Sequence, residues 1–213
     1  MYKGKNVNLC IPTLNRYDLI WECVRSAYEG TVKPDNVFII DNGGSLERIP
    51  EFPDVYLYRQ EQNIGVAASW NAFISNVEEY RLICNDDIKF YSQTIETLLE
   101  NYDENHITYA FSYKDQANSF SCFLLSDKII KAVGLFDDSI SPGYAYFEDN
   151  DYSHRLSKEG FGSKPVLCEI EHTGSATLKK YTSTETQLHH HLFRIAQRNY
   201  IDKWGGLPGK ETR

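Results

Sequence analysis

The chain has 213 residues, 24% of them charged and 41% hydrophobic, which is enough for one domain with a sizeable buried core. Its net charge of −8 argues against a nucleic-acid partner, whereas a diphosphate stays possible if a divalent cation mediates. No apolar run approaches the roughly 18 residues of a membrane span, and "MYKGKNVNLC" lacks the apolar core of a signal peptide, so the expected location is cytoplasmic.

Short apolar runs alternate with amphipathic stretches through the first 90 residues. "VNLCIP" (7–12) reads as a strand, and 17–28 as a helix with Leu19, Ile20, Cys23, Val24 and Ala27 on one face. "NVFII" (36–40) is a second strand, closed by the turn signal "DNGG", and "VYLYR" (55–59) is a third. A helix over 65–77 leads to a fourth strand, "YRLIC" (80–84). Strands alternating with helices predict an α/β fold with a mainly parallel twisted sheet flanked by helices.

Ligands of such sheets bind beyond the carboxyl ends of the strands. Pro12, Thr13, Asn15 and Arg16 follow the first strand, Asp41 and Asn42 the second, and Asn85, Asp86 and Asp87 the fourth. These polar clusters are therefore expected on one edge.

The second half is less regular. Helices are expected over 92–102, 149–159 and 184–204, with a short one from Asp127, as its cap, to Val133. Strands are expected over 107–112, 120–125 and 166–172. "GGLPGKETR" (205–213) reads as a tail or the start of a linker, after a single domain spanning 1–204. Five cysteines, with Cys10, Cys84 and Cys168 in strand-like runs and no CxxC or Cys/His spacing, read as reduced buried thiols and not as a disulfide frame or zinc site. Fifteen tyrosines are a high share; tyrosines at that density line grooves for polar ring-shaped ligands, although core and surface use explains most of them.

Several stretches carry chemistry. "LICNDDI" places Asp86 and Asp87 after an apolar strand, as hard oxygen ligands for magnesium or manganese or, equally, as caps of the following turn. "YFEDNDYSHRL" sets Glu148, Asp149 and Asp151 beside aromatic rings. Acidic residues in a first helical turn suit the macrodipole, and carboxylates that lose water beside rings also suit a general base. His172 ends a strand before "TGSAT" and becomes a metal-ligand candidate only if the sheet brings it near Asp87. Asn63 and Gly65 in "NIGVAASWN" open a helix whose N–H groups can accept a polar ligand, or merely pack closely. "HHH" (189–191) cannot point all three side chains one way and reads as a partly exposed helix face.

Taken together, "CIPTLNR", "IIDNGGS", "NIGVAASWN", "NDD", "YFEDNDYSHRL" and "EHTGSAT" resemble the family 2 glycosyltransferases of the GT-A fold, over nearly the whole chain. The Asn-x-Asp form and the ending "NYIDKWGG" look most like the branch containing rhamnosyltransferases. The resemblance implies an inverting, metal-dependent transfer of rhamnose or a hexose from a UDP- or dTDP-sugar to a glycan or glycoconjugate hydroxyl. It assigns Asp149 as catalytic base and Glu148 as the group orienting sugar or acceptor. Pro12, Thr13, Asn15, Arg16, Asp41, Asn63, Gly65, Asn85 and Asp86 would line the donor, with Arg155 anchoring the carboxylates. Asp87 and His172 would hold Mn2+ or Mg2+, and Asp151 would cap its helix. A sugar-nucleotidyltransferase would need a Gly-rich basic loop after the first strand, and "IPTLNRYD" has no glycine. That absence counts against this alternative, and a non-catalytic nucleotide-sugar-binding domain of a longer protein is the other.

Overall fold

Strand β1 (Val7–Thr13) is buried at every position, the mark of a central strand covered on both faces. Its side chains alternate between two cores. Val7, Leu9 and Ile11 pack with Ile20, Cys23, Val24 and Ala27 of helix α1 (Tyr17–Tyr28), whereas Cys10 faces the other way. On that second side it meets Ala67, Trp70, Phe73 and Ile74 of α2 (Val66–Asn76). A computed structural model describes residues 1–47, 52, 54–113, 120–173 and 182–213.

The main sheet has seven strands in the order β3-β2-β1-β4-β7-β6-β8. β2 (Asn36–Asp41), β3 (Val55–Arg59) and β4 (Tyr80–Cys84) run parallel with β1. β7 (Cys122–Leu124) is antiparallel to β4 and to β6 (His106–Phe111), and β6 pairs in parallel with β8 (Gly162–Leu167). Helix α3 (Thr94–Glu100) joins the α1 side, while α4 (Asp127–Val133) and α5 (Glu148–Lys158) join the α2 side. The expected mainly parallel α/β sheet flanked by helices is present.

Two departures from the expected elements bear on the site. The apolar run 166–172 is divided: β8 ends at Leu167, and the chain leaves the main sheet before β9 (Ile170–His172). β9 pairs antiparallel with β5 (Ile88–Phe90), a three-residue strand that no local pattern marks, in the register Ile88↔His172. The half-buried Cys168 sits at that break, while the other four cysteines are buried, all five as free thiols. The second departure concerns caps. Ser126, not Asp127, caps α4, its hydroxyl accepting from the Ile129 N–H at 3.1 Å, and Asp127 instead pairs with Arg81 at 2.7 Å.

Asp151 is likewise no cap. It is fully buried in α5 and binds Arg155 Nε (2.9 Å), Trp204 Nε1 (2.8 Å) and Lys203 Nζ (2.6 Å). A buried carboxylate is tolerated when its oxygens are satisfied in this way, so the contacts weld α5 to α6 (Ser183–Trp204). Helix α6 starts at a capping box between Thr182 and Glu185 and stops at Gly205, whose φ of 76° is left-handed. Residues 205–213 then turn back: Thr212 N–H donates to Trp204 O (3.0 Å), and the Tyr200 hydroxyl bonds Glu211. Among the described residues no helix is long and apolar enough to cross a membrane.

Candidate active site

A cleft of about 360 Å³ opens beyond the carboxyl ends of β1 and β4. Pro12 and Thr13 form one side of it, and Asn85, Asp86 and Asp87 its floor. Glu148 and Asp149 face it from the start of α5, and His172 from the end of β9. Asp87 and His172 meet because β5 and β9 pair. Thr173 N–H donates to Asp87 O at 3.2 Å, and His172 Nε2 lies 3.1 Å from Asp87 Oδ1 and 3.4 Å from Asn85 Nδ2. The "TGSAT" segment expected beside His172 lies, from Gly174 on, outside the described residues.

Asp86 points another way, accepting the Thr13 hydroxyl at 2.6 Å. Burial pushes its pKa up to about 7, with Thr13 and Arg16 opposing and Asp87 adding to the rise. A carboxylate and an imidazole 3.1 Å apart make a mixed oxygen–nitrogen pair that fits one face of a divalent cation. Among the described residues no group of three or more His, Cys, Asp or Glu side chains forms a complete cage. Asp87 and His172 thus offer two candidate ligand atoms among the described residues.

Several residues expected on the donor side stand behind the cleft wall. Asp41 is fully buried and already satisfied: the Tyr17 hydroxyl (2.8 Å) and Gly43 N–H (3.0 Å) donate to Oδ1, and Leu46 N–H (2.8 Å) to Oδ2. Asn15 adopts φ 57°, with its side chain against Gly43. The buried Arg16 pairs with Asp18 at 3.0 Å. All three shape the loops without lining the cleft. Arg155 is further away, spending its guanidinium on Asp151 and on the carbonyls of Val133 (2.7 Å) and Leu135 (2.8 Å). It thus anchors Asp151, away from the cleft, and does not line the donor side.

Asn63 and Gly65 do line the cleft. Gly65 N–H donates to Asn63 Oδ1 at 2.9 Å, and φ at Gly65 is +85°. A Cβ there would sit 2.7 Å from Tyr144 N and 2.8 Å from Tyr144 O, so only glycine lets α2 approach the 143–147 loop. Asn42 enters the wall too, its Nδ2 donating to Ser69 Oγ at 3.0 Å and its Oδ1 accepting Ile64 N–H at 3.1 Å.

That loop ends in two non-glycine residues at positive φ, Tyr146 (108°) and Phe147 (68°), directly before Glu148. Such conformations cost of order 1–3 kcal/mol each and persist only where surroundings enforce them. Here Phe193 of α6 holds both rings, with centroids 5.1 Å from Tyr146 and 5.3 Å from Phe147. Glu148 is 4% exposed, and its Oε2 has no hydrogen-bond partner among the described residues. Burial, then the neighbouring Asp149, raise its pKa to about 8, against backbone N–H donors that lower it. Asp149 is raised as well, by burial, with the Asn150 N–H opposing.

These shifts have a consequence for stability. Glu148 keeps its proton in the fold up to about pH 8, while its ordinary value is 4.5, so the native state binds the extra proton. Its contribution is complete below about pH 4.5 and is lost as pH rises through 8. Melting temperatures measured from pH 5 to pH 9 are expected to fall more steeply for the wild type than for Glu148→Gln. Parallel curves would remove this role from Glu148.

Sequence reasoning missed Tyr144, Ser121 and His189, all of which line the cleft. His189 carried a signal in "HHH", yet a helix pattern does not say which of three consecutive side chains faces a cleft. His190 and His191 are exposed and His189 is half-buried, in edge contact with Tyr146 at 5.2 Å.

Known proteins share the family signature and the fold. The family model described as "Glycosyl transferase family 2" matches residues 9–161. An uncharacterised glycosyltransferase of Rickettsia conorii is 28% identical over 145 residues, which are 64% of this chain and 23% of that protein, so the chain spans about a quarter of that relative. Among solved structures, a mannosyltransferase of Pyrobaculum calidifontis, in complex with GDP-Man and Mn2+, superposes with a TM-score of 0.58 at 14% identity. The match covers 96% of this chain and 77% of that one. TarS of S. aureus gives 0.60 at 12% identity, covering 92% of this chain and 40% of its own. With the sheet, cleft and motifs in agreement, the chain belongs to glycosyl transferase family 2 and has the GT-A fold.

Proposed function

We propose that residues 1–204 form a catalytic domain that moves a sugar, with inversion, from a nucleotide-diphosphate donor to a hydroxyl of a glycan acceptor. One observation carries this reading: the Asp87–His172 pair and the Glu148–Asp149 pair line one cleft. The family motifs tilt the sugar towards rhamnose or a hexose, and the donor base towards uridine or thymidine.

Asp87 and His172 would hold Mn2+ or Mg2+, which when bound neutralises charge on a departing diphosphate. The cation bound to the solved mannosyltransferase supports this reading. Pro12, Thr13, Asn63 and Gly65 bind the nucleotide end of the donor. Asp86 fixes the Thr13 hydroxyl, and Asn85 faces the ribose or the neighbouring His172. Asp149 takes the proton from the acceptor hydroxyl as that oxygen bonds to the anomeric carbon and the bond to the diphosphate oxygen breaks. Burial raises its pKa, which makes it a stronger base than an exposed aspartate. Glu148, protonated and with one oxygen unpartnered among the described residues, orients a hydroxyl of sugar or acceptor.

A thermal-shift panel of UDP-, dTDP- and GDP-sugars with and without Mn2+ tests the reading, because a ligand that binds the native state raises its melting temperature. At least one nucleotide sugar is expected to stabilise the protein, and only with the metal. A flat panel under both conditions would reject a nucleotide-sugar site.

A further inference from the structure

We infer that His189 of α6 is an acceptor-selecting residue, which together with Tyr146 binds an uncharged, hydroxyl-bearing sugar ring at the Asp149 end of the cleft. The inference rests on the transferase reading and adds to it a group from outside the family match, which ends at residue 161.

His189 and Tyr146 line the same cleft as Asp149. The two rings meet edge to face at 72°, and the Tyr146 hydroxyl lies 3.5 Å from His189 Nε2. The imidazole rests on the Tyr146 ring, and the second half of α6 is tied down. Trp204 and Lys203 hold Asp151, Asn199 Nδ2 donates to the Ile140 carbonyl at 3.1 Å, and Tyr200 packs on Phe147 at 5.6 Å. The aromatic contacts that keep Tyr146 and Phe147 at positive φ therefore also set the distance from His189 to the loop before Asp149.

The chemistry of the wall selects the ligand. Desolvation, then the neighbouring His190, hold the His189 pKa below its ordinary 6.5, so the ring is neutral near pH 7 and offers one donor and one acceptor nitrogen. A neutral imidazole beside a phenol matches hydroxyl groups, which both give and take hydrogen bonds, and the tyrosine ring supplies an apolar surface for a sugar face. Asp86, Asp87, Glu148 and Asp149 share the cleft, so an anionic sugar meets carboxyls and no compensating positive charge there from His189.

The test uses the whole chain with UDP and Mn2+ present. Binding of p-nitrophenyl β-glucoside, β-galactoside, β-N-acetylglucosaminide and α-rhamnoside is measured by saturation-transfer NMR, with p-nitrophenyl β-glucuronide as the anionic arm. At least one neutral glycoside is expected to bind, and the glucuronide at least about tenfold more weakly. His189→Ala is expected to weaken the neutral glycoside about 3- to 10-fold, and His189→Gln, which keeps a donor and an acceptor, to restore most of that loss. Both variants are expected to keep the nucleotide-sugar thermal shift, a readout that a merely structural loss would lower. Overturning results are no binding by any neutral glycoside, equal binding by the glucuronide, or unchanged affinity in His189→Ala. If the wild type shows no nucleotide-sugar shift, the transferase reading itself fails. If that shift is present and glycoside binding ignores His189, only the present inference fails.

Discussion

Asp149→Asn is expected to lower sugar transfer by at least about 100-fold, the low end of general-base contributions, while the nucleotide-sugar thermal shift persists. The asymmetry follows from the layout. Asp149 stands at the start of α5, whereas the Pro12–Thr13 and Asp86–Asp87 segments proposed for the donor belong to β1 and the β4–β5 turn. Asparagine keeps the size and the helix position and removes only the capacity to accept a proton. Steady-state rates and thermal shifts on one preparation decide the matter. Unchanged turnover would strip Asp149 of the base role, and loss of both signals would mean that the substitution disturbs the cleft instead.

The second large effect concerns the Asp87–His172 pair. Asp87→Ala, or excess chelator with the wild type, is expected to abolish donor-dependent transfer and the metal-dependent part of the thermal shift. Among the described residues Asp87 and His172 are the two candidate ligands at this place, so removing Asp87 leaves an imidazole, too little to hold a hard cation at ordinary concentrations. Chelation acts without altering any side chain and so separates metal dependence from damage to the β5–β9 pairing. Full activity in chelator would take the cation, and with it this role of Asp87, out of the mechanism.

Both expectations rest on proximities that were legible in the sequence to different degrees. Asp86 and Asp87 were found because an apolar strand ends at Cys84 and parallel sheets gather ligands at strand ends. The cluster of Glu148, Asp149 and Asp151 is legible because acidic residues stand among aromatics at a helix start, and the choice of Asp149 within it comes from the family resemblance. His172 was left conditional, since only pairing of β9 with β5, a strand of three residues, brings it to Asp87. Asp41 follows the same strand-end rule and is enclosed, with the hydroxyl of Tyr17, from a different element, donating to its Oδ1. Arg155 was read as an anchor for the carboxylates and does anchor one, Asp151, on the side of α5 turned to Trp204.

By itself, the sequence determined most of the periodic parts: which runs are strands and helices, apart from β5 and the break between β8 and β9, that the sheet is mainly parallel, and which carboxylates stand at strand and helix ends. These depend on spacings of two and of about 3.6 residues, which neighbours along the chain carry. Only the tertiary structure decided which polar residues face the cleft, that Asp151 welds α6 to α5, and that His189 and not His190 or His191 lines the cleft wall. Those outcomes depend on partners far apart in the chain, and a local pattern carries no record of the distance between them.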